Sequence, residues 1–271
     1  MKVVSRSAFL LVAGVCLLPS LAAANDGMQF SGVLGSGDSF YDAPNNHIGD
    51  WNANGSVLFT IDNPGFDLQG NFNNDDLSAS ADGGDFLGLG GDAFWRDYGG
   101  AIGLNLDAHA LWNNIANGRN ADFDSFGTFG QWYVAPEATL EFKGGWLSQH
   151  YEGPYGGVAA VAYPLDAVGV TLSADYAKAN HLEPELKDIG LTAEWLPLTE
   201  FPVSIAFGYT RAQIDRLPVP DPDSNRSLDI WSVALKLYIG GGGEGKTLRD
   251  YQRNGPVNYD SAPAGIIEFA H

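Results

Sequence analysis

From Phe66 the chain alternates. Phe66, Leu68, Gly70 and Phe72 fall on one side, and Asp67, Gln69, Asn71 and Asn73 on the other. The same period recurs where Ile102, Leu104, Leu106 and Ala108 oppose Gly103, Asn105, Asp107 and His109. It recurs again where Val170, Leu172, Ala174 and Tyr176 oppose Thr171, Ser173 and Asp175. Successive side chains of a strand point to opposite faces, so this period predicts strands with one apolar and one polar face. About twelve such spans follow one another: 28–35, 51–61, 66–73, 86–96, 101–111, 123–134, 138–147, 156–163, 168–178, 187–196, 202–211 and 228–239. In the fourth, glycines blur the phase, and Leu87, Leu89, Ala93 and Trp95 form the apolar set.

The connectors sort by length. Asp62 to Gly65, Asp97 to Gly100, Ala135 to Glu137, Pro164 to Ala167 and Pro197 to Phe201 are short and rich in turn formers. The others, such as 36–50, 74–85, 112–122 and 212–227, are mostly longer and more polar or acidic. Short turns on one side and long loops on the other characterise even-stranded bacterial membrane barrels. Both ends of the strand series then lie on the short-turn, periplasmic side.

Aromatic positions sharpen this reading. Trp51, Phe72, Phe126, Trp146, Tyr176, Tyr209 and Trp231 fall at long-loop ends of their strands. Phe59, Phe66, Trp95, Trp132, Tyr163 and Trp195 fall at short-turn ends, and all are assigned to the apolar phase. Two rings of amphipathic aromatics flanking an apolar band are expected where a barrel meets lipid headgroups. A soluble sandwich would turn its apolar phase inward and has no reason to sort aromatics to strand ends.

The first residues read as an export leader. Lys2 and Arg6 precede an apolar run from Ala8 to Leu18, Pro19 and Ser20 break it, and Leu21-Ala22-Ala23-Ala24 offers small residues for cleavage near Ala24. Cys16 lies inside that run, behind Ala13-Gly14-Val15, a poor lipoprotein signal. Cleavage would leave no cysteine for a disulfide. No later segment approaches twenty consecutive apolar residues, so no transmembrane helix is predicted. The expected organisation is a leader over 1–24, a barrel over 25–239 and a periplasmic tail over 240–271.

Charge narrows the partners. The chain has 14 basic and 33 acidic residues, and removing Lys2 and Arg6 leaves 12 against 33. Such a surface repels phosphates and argues against nucleic acid, while cations and basic solutes are favoured. Solubility alone is also a sufficient reason for the excess.

With strands, girdles and leader in place, the chain resembles the porin-like outer-membrane barrels of Gram-negative bacteria. The resemblance rests on the stretch from Gly127 through Trp132-Tyr133-Val134-Ala135-Pro136-Glu137-Ala138-Thr139-Leu140 to Trp146, an aromatic-rich strand, a Pro-containing turn and a Thr-Leu strand start. It rests also on Val233 to Ile239, followed by a Gly run and Lys246-Thr247-Leu248-Arg249-Asp250. It implies an all-β, antiparallel up-and-down transmembrane β-barrel. It further implies Sec export, help from the barrel-assembly machinery, and contact with outer-membrane lipids and lipopolysaccharide. Passage of small hydrophilic solutes is implied more weakly. One departure is the length of chain after Ile239, a tail that could reach back over the pore.

Candidate chemistry lies on the polar phase. Asp67, Asp107, Glu141, Asp175 and Glu194 are candidate lumen acids, and Arg96, Lys143 and Lys236 candidate lumen bases. They either line a water channel or pair into a network that closes it, and a conducting lining would prefer cations. The girdle candidates are Trp51, Trp95, Trp132, Trp146, Trp195 and Trp231. His47, His109, His150 and His181 map to the long-loop side without metal-ligand spacing. Asp221-Pro222-Asp223-Ser224-Asn225 with Asp229 echoes the start of a calcium loop, but Arg226 and Ser232 stand where such a loop needs Gly and Glu. No metal or cofactor is expected. His109 and Ser125 flank one loop and face inward, yet no nucleophile signature surrounds Ser125. The leading expectation is a cation-preferring passive pore. A closed barrel with a structural or surface-binding role comes second and an outer-membrane lipid hydrolase third.

Overall fold

The computed structural model describes residues 28–43, 46–61, 64–76, 84–113, 123–148, 152–178, 185–198, 201–215, 226–240 and 246–257. Twelve strands run in chain order: β1 (Met28–Ala43), β2 (Asn46–Ile61), β3 (Gly65–Asp76), β4 (Gly84–Asp97), β5 (Gly100–Asn113) and β6 (Phe123–Ala135). They continue as β7 (Ala138–Leu147), β8 (Gly153–Leu165), β9 (Val168–Lys178), β10 (Glu185–Trp195), β11 (Val203–Asp215) and β12 (Arg226–Gly240). Each pairs antiparallel with its sequence neighbours, and β1 pairs with β12 from Ser31↔Gly240 to Asp42↔Asp229. The sheet closes into an up-and-down barrel with no free edge. A short helix, α1 (Leu248–Asn254), follows.

The alternation fixes which face is which. On β5, Ile102, Leu104 and Leu106 are 60%, 67% and 66% exposed on the outside, while Asn105 and Asp107 are buried within. Val158, Leu172, Ile189, Leu191, Phe207 and Leu235 extend the apolar exterior around the barrel. Water does not tolerate an apolar belt of this extent, so the belt faces lipid. Trp51, Trp95, Trp132, Trp195 and Trp231 are exposed on this surface and Trp146 is half-buried. Tyr209 and Trp231 pack at 4.7 Å between ring centroids at the long-loop end, and Phe30 and Phe59 at 5.6 Å at the other.

Two expectations are corrected. Residues 36–50 are no loop: β1 and β2 stay paired up to Ala43↔Asn46, and only 44–45 connect them. The outward phase there carries Ser36 and Asp38 before Phe40, so the apolar stripe lapses while backbone pairing, which needs no apolar side chain, continues. Tyr163 is no girdle residue. With Val161 it occupies the inward phase of β8 and is 5% exposed. Register shifts at Ala162/Leu165 and Trp132/Ala135 close the two neighbouring turns, the kind of rim bulge that re-aims side chains.

Candidate functional site

All eight candidate lumen residues project inward, and they are held by partners. Arg96 lies 3.4 Å from Asp67, Lys143 2.8 Å from Asp175, and Lys236 2.9 Å from Glu194. Gln131 donates to Glu141 at 2.8 Å, and Asp107 accepts from Asn105 at 2.8 Å and from Ser125 at 3.2 Å. Burial makes such pairing obligatory, because an unpartnered charge in a low-dielectric interior is costly. Two inward acids escaped the sequence reading. Asp92 accepts from Asn71 on the wall where glycines blur the phase, and Asp188 sits directly across from Asp175. Among the described wall side chains, Asp67, Asp92, Asp107, Glu141, Asp175, Asp188 and Glu194 stand against Arg96, Lys143 and Lys236.

The lumen wall is uneven. On β2 to β6, Leu58, Asp67, Asp92, Phe94, Arg96, Phe129 and Gln131 fill the interior side, with Phe94 and Phe129 edge to face at 5.4 Å. On β8 to β12 many inward positions are small, among them Ala159, Ser173, Gly190, Thr192, Ala206, Gly208, Ser232 and Ala234, between larger ones such as Tyr163, Asp175, Glu194, Lys236 and Tyr238. A twelve-stranded barrel is wider than one that its own side chains can fill, so small residues along one wall leave room.

The short-turn mouth is occupied by the chain's own tail. Gly240, with φ +66°, begins it, and a Cβ there would meet the Phe30 carbonyl at 2.3 Å. Glycine alone makes this exit from the wall at no cost. Thr247 caps α1 by accepting from the Asp250 amide, and Asp250 accepts in return from the Thr247 amide. Leu248 packs on Leu196 and Tyr238, and Tyr251 stacks on Tyr238 at 4.9 Å. The helix fits because Gly169, inward on β9, has no side chain: a Cβ there would lie 3.3 Å from Leu248. Burial lowers the Lys246 ammonium from its ordinary value, with Asp250 opposing the shift.

Polar anchors tie the tail around the rim. The Leu248 amide donates to the Asp166 carbonyl at 2.9 Å, and Gln252 donates to Glu194 at 3.1 Å. Glu194 also accepts from Ser204, Tyr238 and Lys236, which makes it the hub of that side. Across the mouth, Arg96 donates to the Gly255 carbonyl at 2.8 Å. Gln69 clamps Val257 from both sides, its amide nitrogen on the Val257 carbonyl and its oxygen on the Val257 amide, each at 2.8 Å. The Val257 side chain enters a cluster with Leu58, Phe94, Ala101 and Phe129 inside the barrel. The tail thus crosses the mouth from the β10–β12 side to β3 and β4.

Tyr133, Tyr163, Tyr238 and Arg253 are functional candidates that the sequence reading did not single out as such. The capping box in Thr247-Leu248-Arg249-Asp250 was the available signal for a folded tail. Other candidates resolve more simply. His109 is buried on the inward phase, and the Ser125 hydroxyl donates to Asp107. His150, His181 and 221–225 lie outside the described residues, as does the His47 side chain, and so does the leader with Cys16. Asp229, the last member of the loop cluster, accepts from Tyr209 at 2.7 Å on the outer face.

No protein-family model matches the chain, and no curated protein matches it. Solved structures do. An outer-membrane channel from Pseudomonas putida F1 superposes with TM-score 0.52 at 11% identity, covering 80% of this chain and 97% of that one. The NanC porin gives 0.52 at 8% identity over 75% and 98%, and the KdgM porin 0.50 at 7% over 76% and 98%. At such identities the likeness is one of fold. The chain therefore has the porin-like fold of outer-membrane channels, built here as a twelve-stranded, antiparallel, up-and-down transmembrane β-barrel.

Proposed function

We propose that this protein is an outer-membrane passage for small hydrophilic solutes, biased toward cations, whose periplasmic mouth is closed by its own tail. The observation that carries the reading is the polar lumen, in which wall acids outnumber wall bases and one wall is lined by small residues. Field lines from Asp92, Asp107, Asp175 and Asp188 favour a cation along the path, and Lys143 and Lys236 narrow the advantage. Three fold neighbours, a Pseudomonas putida F1 channel and the NanC and KdgM porins, are described as channels or porins, which agrees with passage. An export leader over 1–24 and a tail from residue 240 belong to the same proposal. So does contact with lipopolysaccharide phosphates through the outward Lys187 and Arg211 at the long-loop rim.

The test is single-channel recording of residues 25–271 in a planar bilayer under a salt gradient. Cation-selective steps are expected, less selective in Asp107→Asn with Glu141→Gln. Val257→Asp, which puts a carboxylate among Leu58, Phe94 and Phe129, should expel the tail end and raise the open fraction. Silence from both the wild type and the Val257→Asp barrel, each shown to be inserted and folded, would end the proposal.

A further inference from the structure

One tail side chain is held differently from the rest. The Arg253 guanidinium donates through Nη2 to the carbonyls of Ala135 and Ala138, both at 2.7 Å, and through Nε to the Thr139 hydroxyl at 3.0 Å. Its Cζ lies 4.8 Å from the centroid of the Tyr133 ring and 5.5 Å from that of the Tyr163 ring. Tyr133 also donates to the Arg253 carbonyl at 2.9 Å, fixing the residue's backbone. These parts come from the β6–β7 hairpin and the inward face of β8, so the barrel wall, not the tail, builds the receptor. Two aromatic faces and three convergent acceptors match a planar, delocalised cation with several N–H donors. A compact ammonium would satisfy the charge but not the fork. A lone surface anchor would need neither ring.

The location gives the receptor a further use. It sits on the lumen side of the periplasmic rim, at the end of an acid-rich path along which a solute would leave. We propose that this pocket is a guanidinium-binding site, filled by Arg253 when the tail is seated and by a guanidinium-bearing solute when the tail withdraws. This rests on the passage reading and adds to it a solute class and an exit subsite. Arg253 competes as a tethered ligand. Tethering through a short segment sets an effective concentration on the order of millimolar, so a free solute must act in that range. Solute binding and tail seating therefore exclude one another at this site. A guanidinium solute arriving at the rim favours the open mouth.

The experiment separates the site from conduction. The full mature chain carrying Arg253→Ala is reconstituted in lipid and probed by ligand-observed NMR with methylguanidinium, and with methylammonium as the control. Saturable binding at millimolar concentration is expected in Arg253→Ala, with at least about tenfold preference over methylammonium, and little in the wild type. Tyr133→Leu in the Arg253→Ala background should remove it. Equal binding of the two cations, or equal binding to wild type and variant, overturns the proposal. Should Arg253→Ala fail to fold, the unaltered protein decides. Methylguanidinium, and not methylammonium, must speed tryptic cleavage after Lys246 and Arg249 severalfold, and no difference between them overturns the site. Neither readout needs a current, so a barrel that binds but does not conduct would refute the passage while leaving the pocket.

Discussion

The two walls of the lumen follow the same alternation and are built to different ends. From β2 to β6, inward positions carry Leu58, Asp67, Phe94, Arg96 and Phe129, which pack and pair like a domain core. From β8 to β12 more of them are small, Ala159, Ser173, Gly190, Ala206 and Gly208 among them, although Tyr163, Glu194, Lys236 and Tyr238 share that wall. The share of small residues, more than polarity, distinguishes the walls. The bulky wall holds the end of the tail, where Val257, Gly255 and Gln69 meet, while α1 rests on Leu196, Tyr238 and Glu194 at the rim of the other wall. The small wall leaves the cross-section in which a solute could move.

The largest effect should come from abolishing that difference. Gly190→Trp, on the inward phase of β10 between Ser173 and Thr210, would project an indole across the small wall. Most of the current of the opened Val257→Asp barrel should disappear while strand content is kept, the Ser173 hydroxyl turning aside for the new Cβ. If the current persists, the path does not follow this wall.

The converse change strikes the bulky wall. Arg96→Ala strips Asp67 of its ion pair and the Gly255 carbonyl of its donor, both in buried surroundings. Removing one partner of a buried pair costs about 3–5 kcal/mol, so urea unfolding should shift to a clearly lower midpoint. The tail should also become more accessible to trypsin. A midpoint equal to that of the wild type would mean that water already solvates Asp67, and the wall would not be the packed half described here.

How much of this was legible in the sequence follows from what each feature depends on. Strand existence and facing depend on period two alone, and Phe66 to Asn73 and Ile102 to His109 displayed it without interruption. Strand length depends on backbone pairing, which polar residues sustain equally well, so 36–50 reads as a loop although β1 and β2 remain paired there. Tyr163 was placed outside because an aromatic near a turn fits a girdle, while its inward phase, shared with Val161, carried the better information. The eight candidate charges face inward, since inward polar positions follow from alternation. Their partners do not follow from it. Asp67 with Arg96 is a pairing between β3 and β4, and Lys236 with Glu194 reaches across β11 from β12 to β10, so each depends on strand register, which the alternation leaves open. The Arg253 pocket is least legible of all, because two of its three acceptors are backbone carbonyls at a turn and carry no side-chain signature.

The smallest effect concerns charge rather than space. Asp175 and Asp188 face each other across β9 and β10 on the small wall, where Lys143 neutralises only part of the pair. Replacing both by Asn leaves backbone, volume and the tail anchors in place, so only the field along the path changes. At about 4 Å in a water-like medium a unit charge is worth about 1 kcal/mol, so removing two bounds the loss of cation preference at about 2 kcal/mol, or about thirtyfold. The reversal potential of the Val257→Asp barrel under a salt gradient measures it. A shift within that bound assigns the selectivity to the small wall. An unchanged reversal potential, with Asp107→Asn still effective, would move it to the bulky wall and leave the small wall as a spacer.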